Sequence, residues 1–326
     1  MKIIVMSVAG VVGALVFVAA IFVTANWAPE RSVADLAARW APPPSTFLDI
    51  AGMKVHVRDE GPRDDKSPIV LLHGTGSSLH AWQGWAQALK DKRRVIRFDL
   101  PGFGLTGPSP NHVYSIGNDI GVLIAVLDKL GVEHCVLGGA SHGGGIAWRA
   151  ALSHPARVDK LILVDAIGYP TKPVSQPLGF RLASIPGMDW LLEHILPRTL
   201  VEQGFRDVWG DPDRVTPEMV ERSIELTQRE GNRRALLDRF HQDGGASLAY
   251  RIPELKLPTL IIWGGKDRLI PPENAERFHR DISGSALVMF EDLGHAPEEE
   301  APARTVAAVK RFLGDRADLH ARSQIH

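Results

Sequence analysis

The sequence GASHG at residues 139–143 lies between an apolar run at residues 135–137 and a run of small and apolar residues at 144–152. The first run has the pattern of a buried strand and the second that of a helix. A G-x-S-x-G motif at such a junction is typical of a nucleophile elbow, a tight turn that exposes its serine. Gly139 and Gly143 leave the space that this turn needs. We therefore predict that Ser141 is an exposed nucleophile and that the backbone N–H of His142 faces the same space.

Four further apolar runs are predicted to be strands that end in polar turns. They are residues 69–72 before His73, 95–98 before Asp99, 260–263 before Asp267 and 287–290 before His295. A serine hydroxyl is a poor nucleophile at neutral pH and needs a base, which in turn needs a carboxylate to orient it. The candidate groups follow one another along the chain in the order Ser141, Asp267, His295.

With these motifs in this order, residues 45–315 resemble the α/β-hydrolase family, and in particular its lidded esterase, dehalogenase and epoxide-hydrolase branch. The resemblance implies an α/β fold with a mostly parallel sheet, helices on both faces and an inserted helical lid. Members that open epoxides or displace halide use an aspartate at the elbow and often a proline after the His-Gly-x turn. This chain has Ser141 and Gly76 at these positions, which disfavours both chemistries.

The resemblance also assigns roles to individual residues. Ser141 is the expected nucleophile, His295 the base and Asp267 the acid of the triad. Asp165, at the end of an earlier strand, is the alternative acid, because some relatives place the acid there. The backbone N–H groups of Thr75 and His142 are the expected oxyanion hole.

Aromatic residues are the candidates for an apolar substrate pocket under the lid, and one or two of them are expected to touch substrate. The six considered are Trp82, Phe103, Trp148, Trp190, Phe205 and Trp209, of which Trp82, Phe103 and Trp190 are our predicted contacts.

The predicted elements divide the chain into six parts. They are a transmembrane anchor or signal (1–25), a stalk (26–44), the first part of the hydrolase core (45–168), a helical lid (169–250), the second part of the core (251–315) and a polar tail (316–326). The predicted lid is rich in proline in its first part and shows only helical patterns in the rest, with no buried strand. One final helix is expected to start at Pro297.

The N-terminal segment differs from the rest. Residues 3–25 carry no charge and are dominated by Val, Ala, Ile and Phe. A helix of that length is sufficient to cross a bilayer core of about 30 Å. A cleaved signal peptide is the alternative, although the apolar run is longer than a usual signal core. We expect an uncleaved anchor that holds the catalytic domain on the exported, periplasmic or extracellular face.

Composition narrows the function classes. The chain of 326 residues has a formal net charge of −1, which gives no electrostatic reason to bind nucleic acid. Its single cysteine, Cys135, excludes an intramolecular disulfide. The sequence has no Cys/His cluster with zinc spacing and no phosphate-binding loop, so we expect neither a metal nor another cofactor.

The predicted function is hydrolysis of small-molecule carboxylic esters through an acyl-enzyme. Three alternatives fit the same fold: hydrolysis of a carbon–carbon bond in a ring-cleavage diketone, cofactor-free perhydrolysis, and ligand sensing without catalysis. Ring-cleavage hydrolases often carry a tryptophan after the catalytic histidine, where this chain has Ala296. Slow turnover together with ligand-dependent partner binding would identify a sensor.

Overall fold

The computed structural model describes residues 2–242 and 247–314, with side chains from residue 9 onward. Within these residues the strands form one eight-stranded sheet in the order β1-β2-β4-β3-β5-β6-β7-β8. The strands are β1 (Ser45–Ile50), β2 (Met53–Glu60), β3 (Ile69–Leu72), β4 (Val95–Phe98), β5 (Cys135–Ala140), β6 (Val158–Val164), β7 (Thr259–Gly264) and β8 (Ala286–Phe290).

The described helices are numbered in chain order. They are α1 (Lys2–Ala25), α2 (Val33–Trp40), α3 (Gln83–Leu89), α4 (Ile116–Lys129), α5 (His142–Ser153), α6 (Leu178–Ala183), α7 (Asp189–His194), α8 (Arg198–Val208), α9 (Pro217–Thr227), α10 (Asn232–Gln242), α11 (Glu273–Asp281), α12 (Pro297–Glu300) and α13 (Pro302–Leu313).

Most of the sheet is parallel, as expected. β1 and β2 form an antiparallel hairpin, and β2 also pairs antiparallel with β4. From β4 to β8 every neighbouring pair is parallel. In a parallel sheet the carboxyl ends of the strands meet at one edge, where α/β proteins bind their ligands. The turns after β3, β5, β6, β7 and β8 therefore lie along the same edge.

The central strands of the sheet are buried on both faces, whereas the edge strands β1 and β8 are mostly half-buried or exposed. Successive strand residues point to opposite sides, so Val70 and Leu72 of β3 pack into one core while Ile69 and Leu71 pack into the other. The first core includes residues of α4, α5 and α11, and the second includes residues of α3 and α13. This explains why the strands are continuous apolar runs rather than alternating ones.

The helices α6 to α10 lie between β6 and β7 in the chain and form the lid. Hydrogen bonds and an ion pair hold the lid to the segment that precedes the sheet. The Ala28 N–H donates to the His194 carbonyl at 2.9 Å, and the Leu196 N–H donates to the Asn26 carbonyl at 3.0 Å. Arg31 adds an ion pair to Glu225 of α9 at 2.6 Å. The first residues of the predicted stalk are therefore packed against the lid.

The predicted transmembrane anchor is not supported. A transmembrane helix needs about 20 consecutive apolar residues. Among the described residues, no helix is both long enough and apolar enough to cross a membrane. The expected export of the catalytic domain stays a prediction.

The predicted final helix is divided in two. α12 ends at Glu300 and α13 begins at Pro302, because Ala301 between them has non-helical angles, φ −142° and ψ 63°. Proline has no N–H to continue a helix and disfavours helical angles at the residue before it. The predicted tail, residues 316–326, lies outside the described residues.

Candidate active site

Ser141 lies in a strained turn between β5 and α5. Its φ of +52° and ψ of −115° are rare for a residue with a side chain, and such a conformation costs on the order of 1–3 kcal/mol. The flanking glycines are needed because the chain passes very close to itself here. A Cβ on Gly139 would overlap the Gly143 carbonyl, and a Cβ on Gly143 would overlap the Leu72 carbonyl.

The structure brings Ser141, His295 and Asp267 together. His295 Nε2 lies 3.0 Å from Ser141 Oγ, and His295 Nδ1 lies 2.7 Å from Asp267 Oδ2. The second carboxylate oxygen of Asp267 accepts the N–H groups of Leu269 at 2.8 Å and Ile270 at 2.9 Å. These two backbone donors fix the carboxylate so that its other oxygen faces the imidazole.

Asp165, the alternative acid, is fully buried beside the pair. Its Oδ1 accepts the Gly264 N–H at 3.0 Å, whereas its Oδ2 has no hydrogen-bond partner among the described residues. Burial, followed by the negative charge of Asp267, raises the pKa of Asp165 well above its usual value. His295 hydrogen-bonds to Asp267 and makes no hydrogen bond to Asp165 within the described residues.

The same three side chains are the cluster nearest to a metal site in the described part of the chain. One ligand atom from each of Asp165, Asp267 and His295 falls within 4.8 Å of the others. The short distances follow from the hydrogen bond between Asp267 and His295, with Asp165 buried beside it.

Two backbone donors adjoin Ser141. His142 is the first residue of α5, where a helix leaves its N–H groups without an internal partner. A Cβ on Gly74 would lie 3.1 Å from the Ser141 Cβ, so the turn that contains Thr75 lies against the nucleophile. Within the described residues, neither the Thr75 nor the His142 N–H donates a hydrogen bond.

The His73 ring holds this turn in place. Its Nδ1–H donates to the Gly74 carbonyl at 2.8 Å and its Nε2 accepts the Leu100 N–H at 3.0 Å. Both bonds require the neutral imidazole. Burial lowers the pKa of His73 and so keeps it in that form.

The side chain of His142 points away from the nucleophile. Its Nε2 lies 3.0 Å from Asp119 Oδ2, and Arg239 of α10 donates to the same carboxylate at 2.8 Å. Burial opposes ionisation of Asp119, but its hydrogen bonds to His142 and Arg239 lower its pKa. This buried cluster joins the lid to the helix behind the elbow, and no sequence motif indicated it.

A second lid contact that the sequence did not reveal positions the histidine loop. The His295 N–H donates to the Val208 carbonyl, at the end of α8, at 2.7 Å. Glu300 accepts the N–H groups of Gly294 at 2.9 Å and of Gly210, in the lid, at 3.1 Å. One carboxylate therefore fixes both the histidine loop and the lid segment beside it.

A cavity of about 490 Å³ adjoins Ser141 and His295 beneath the lid. Of the aromatic residues considered from the sequence, Phe103, Phe205 and Trp209 line it. Trp82 does not, because it is fully buried against Trp85 in the core.

Trp190 does not line the cavity either. It is 58 % exposed on the outer side of the lid, where its ring packs against Trp27 and His194. Helical spacing alone does not tell which side of a short lid helix faces the cavity, so the sequence could not separate Trp190 from Phe205.

The family profile described as alpha/beta hydrolase fold matches residues 67–195 and 204–302. The chain belongs to the α/β-hydrolase fold family.

Relatives within the α/β-hydrolase family differ in chemistry. The chain is 29 % identical over 275 residues to 2-hydroxymuconate semialdehyde hydrolase of Pseudomonas sp. strain CF600, covering 81 % of this chain and 92 % of the relative. It is similar to a solved thermophilic esterase from Thermogutta terrifontis, with a TM-score of 0.68 and 26 % identity over 82 % of this chain and 96 % of that one.

A meta-cleavage product hydrolase, CumD from Pseudomonas fluorescens IP01, is also structurally similar. Its TM-score is 0.71 and its identity 26 %, covering 83 % of this chain and 97 % of that one. These α/β-hydrolases therefore agree on the fold but not on the bond that is broken.

Glu298 is a buried carboxyl group that lines the cavity of this α/β-hydrolase. It is 4 % exposed, and its Oε2 has no hydrogen-bond partner among the described residues. Burial raises the pKa of Glu298 to about 8. At neutral pH its side chain is therefore an uncharged acid.

The raised pKa of Glu298 makes the free energy of unfolding fall as pH rises. The unfolded chain releases the Glu298 proton near the ordinary carboxyl pKa of about 4.3, whereas the folded chain keeps it up to about 8. Between these values unfolding releases a proton, and from pH 6 to pH 8 the wild type loses roughly 2 kcal/mol through this group. Glu298→Gln should lack that loss, as measured by urea unfolding at both pH values.

The exposed Glu218 provides the control for this measurement. Glu218→Gln should show the same loss of unfolding free energy between pH 6 and pH 8 as the wild type. An equal loss in wild type and Glu298→Gln would show that Glu298 is ionised in the folded protein at both pH values.

Proposed function

We propose that this protein is a serine hydrolase that cleaves carboxylic esters with an apolar portion. The observation that carries the proposal is the hydrogen-bonded series Ser141–His295–Asp267 at the wall of the lid cavity. The cavity volume falls in the range of small-molecule sites, and apolar side chains form most of the lid lining.

In the proposed reaction Ser141 Oγ attacks the ester carbonyl while His295 Nε2 takes its proton. Asp267 stabilises the imidazolium and keeps the Nδ1–H tautomer. The Thr75 and His142 N–H groups donate to the carbonyl oxygen as it becomes negative, and each such donor typically contributes a few kcal/mol to the transition state.

The tetrahedral intermediate then collapses. His295 gives its proton to the departing alcohol oxygen as the C–O bond breaks, which leaves the acyl group on Ser141. Water repeats the sequence with His295 as base and releases the carboxylic acid. Each proton is supplied and taken up by His295, so no step requires a metal or another cofactor.

Carbon–carbon bond hydrolysis is the second candidate. It is favoured by similarity to 2-hydroxymuconate semialdehyde hydrolase and to the meta-cleavage product hydrolase. Ala296 counts against it, because the residue after the catalytic histidine is often tryptophan in ring-cleavage hydrolases. Breaking a carbon–carbon bond requires a ketone and protonation of a departing carbon, whereas an ester needs protonation of an oxygen only.

Substrate preference separates these two candidate reactions. We expect p-nitrophenyl esters to be hydrolysed with a kcat/KM at least tenfold above that for a 2-hydroxy-6-oxohexadienoate. Chain lengths from acetate to decanoate should show an optimum at intermediate length, because the cavity is closed by the lid residues. Ser141→Ala should abolish turnover of both substrate classes. Faster cleavage of the diketone than of every ester would contradict ester hydrolysis.

Substitution of each aspartate separates the two candidate acids. Asp267→Asn should lower kcat by about 10⁴-fold, because the amide N–H faces Nδ1 and stabilises the wrong histidine tautomer. Asp165→Asn should lower kcat by less than about tenfold, because Asp165 makes no hydrogen bond to His295 in the described structure and an asparagine oxygen can still accept the Gly264 N–H. A severe loss in Asp165→Asn with a mild one in Asp267→Asn would reverse the assignment.

A further inference from the structure

The lid cavity has one polar region. α9 and the start of α10 supply the polar and charged groups of the lid helices that line it, which are Arg222, Ser223, Thr227, Asn232 and Arg233. In contrast, α6, α7 and α8 contribute apolar side chains and glycines to the lining. A polar region in an otherwise apolar site selects a ligand with a polar group at the matching place.

Most of the charges in the lining are neutralised within the protein. Arg222 is ion-paired with Glu299, and the Glu298 carboxyl is uncharged at neutral pH because its pKa is raised to about 8. Arg233 differs from both. Its side chain makes no hydrogen bond or ion pair within the described part of the chain, and its Nη1 is buried without a partner.

Arg233 is 5 % exposed, so its guanidinium is largely withdrawn from bulk water. The carboxylates near enough to affect it are those of Glu30 and Glu193. Glu30 accepts the Gly231 N–H at 2.8 Å, and Glu193 pairs with Arg234 at 3.0 Å. Removing a cation from water without pairing it costs several kcal/mol, and an anionic ligand would recover that energy.

The position of Arg233 sets where such an anion lies relative to the nucleophile. Arg233 and Phe240 both line the cavity from α10, seven residues or about 10 Å apart along the helix. Phe240 packs against Phe180 with ring centroids 5.2 Å apart, and Phe180 lies beside Gly76 in the turn next to Ser141. Phe240 therefore marks the catalytic end of the helix and Arg233 the distant end.

The partial positive charge of a helix N-terminus adds to that of Arg233, which is the second residue of α10. We propose that Arg233 is a carboxylate-binding subsite, and that the preferred substrates are esters whose chain ends in a carboxylate remote from the reacting carbonyl. Cleavage of these substrates rests on the proposed ester hydrolysis, whereas their binding at Arg233 rests on the lining of the cavity alone.

Two substrates of equal chain length test the subsite. Monomethyl suberate ends in a carboxylate, whereas methyl octanoate ends in a methyl group. For the wild type, kcat/KM for monomethyl suberate should exceed that for methyl octanoate by about tenfold or more, the value expected of one charge-assisted hydrogen-bonded pair. Arg233→Gln and Arg233→Met should each reduce this ratio to about one.

Arg198→Gln is the matched control. It removes the same charge from α8 of the lid, where Arg198 is half-exposed and paired with Glu221 outside the cavity. Its substrate ratio should equal that of the wild type. A ratio that is near one in the wild type, or that survives both Arg233 substitutions, would overturn the subsite while leaving ester hydrolysis intact.

Binding to the Ser141→Ala protein tests the subsite independently of turnover. Calorimetry should give a Kd for monomethyl suberate about tenfold below that for methyl octanoate, and Arg233→Gln should remove the difference. Equal affinities would refute the subsite even if every ester were cleaved.

Tighter Arg233-dependent binding of octyl phosphate than of monomethyl suberate would overturn the assignment to carboxylates. If the protein bound monomethyl suberate more tightly than methyl octanoate but cleaved no ester, the proposed reaction would be refuted and the subsite would stand.

Discussion

The 3.0 Å hydrogen bond between His295 and Ser141 joins residues that are 154 positions apart in the chain. It depends on the parallel register of β5 through β8, which brings the turns after these strands to one edge of the sheet. A shift of one residue in any pair would reverse the faces of a strand and move its terminal side chain away. The parallel hydrogen-bond ladders between these strands hold this register.

The lid is held to the catalytic groups at two places. Arg239 binds Asp119 behind the elbow, and Glu300 with the Val208 carbonyl holds the histidine loop. Breaking a buried ion pair by removing one partner typically costs about 3–5 kcal/mol. The lid is therefore a structural part of the active site as well as a cover. Residues 26–31 extend the same assembly, since they pack on the lid from the N-terminal side.

Local sequence rules predicted the parts of the site that depend on backbone geometry. The glycines around Ser141 were recognisable because only they fit the close chain crossing seen in the structure. The order of Ser141, Asp267 and His295 was recognisable because each follows an apolar strand.

Features that depend on long-range contacts were not predictable in this way. The buried pairing of Asp119 with Arg239 spans 120 residues and has no local pattern. Trp82 and Trp190 were chosen for their size, but their orientation depends on packing between distant elements. The Arg233 guanidinium has no partner among the described residues, which could be seen only once the positions of Glu30 and Glu193 were known. The division between α12 and α13 was readable from Pro302, which disfavours helical angles at Ala301.

The central claim is that Ser141 becomes acylated. Mass spectrometry of protein that is acid-quenched during turnover of p-nitrophenyl octanoate tests it most directly. The account predicts one octanoyl group per chain, located by peptide mapping on Ser141. An adduct on another residue, or release of p-nitrophenol with no adduct under conditions in which deacylation is slowed by low pH, would contradict the account.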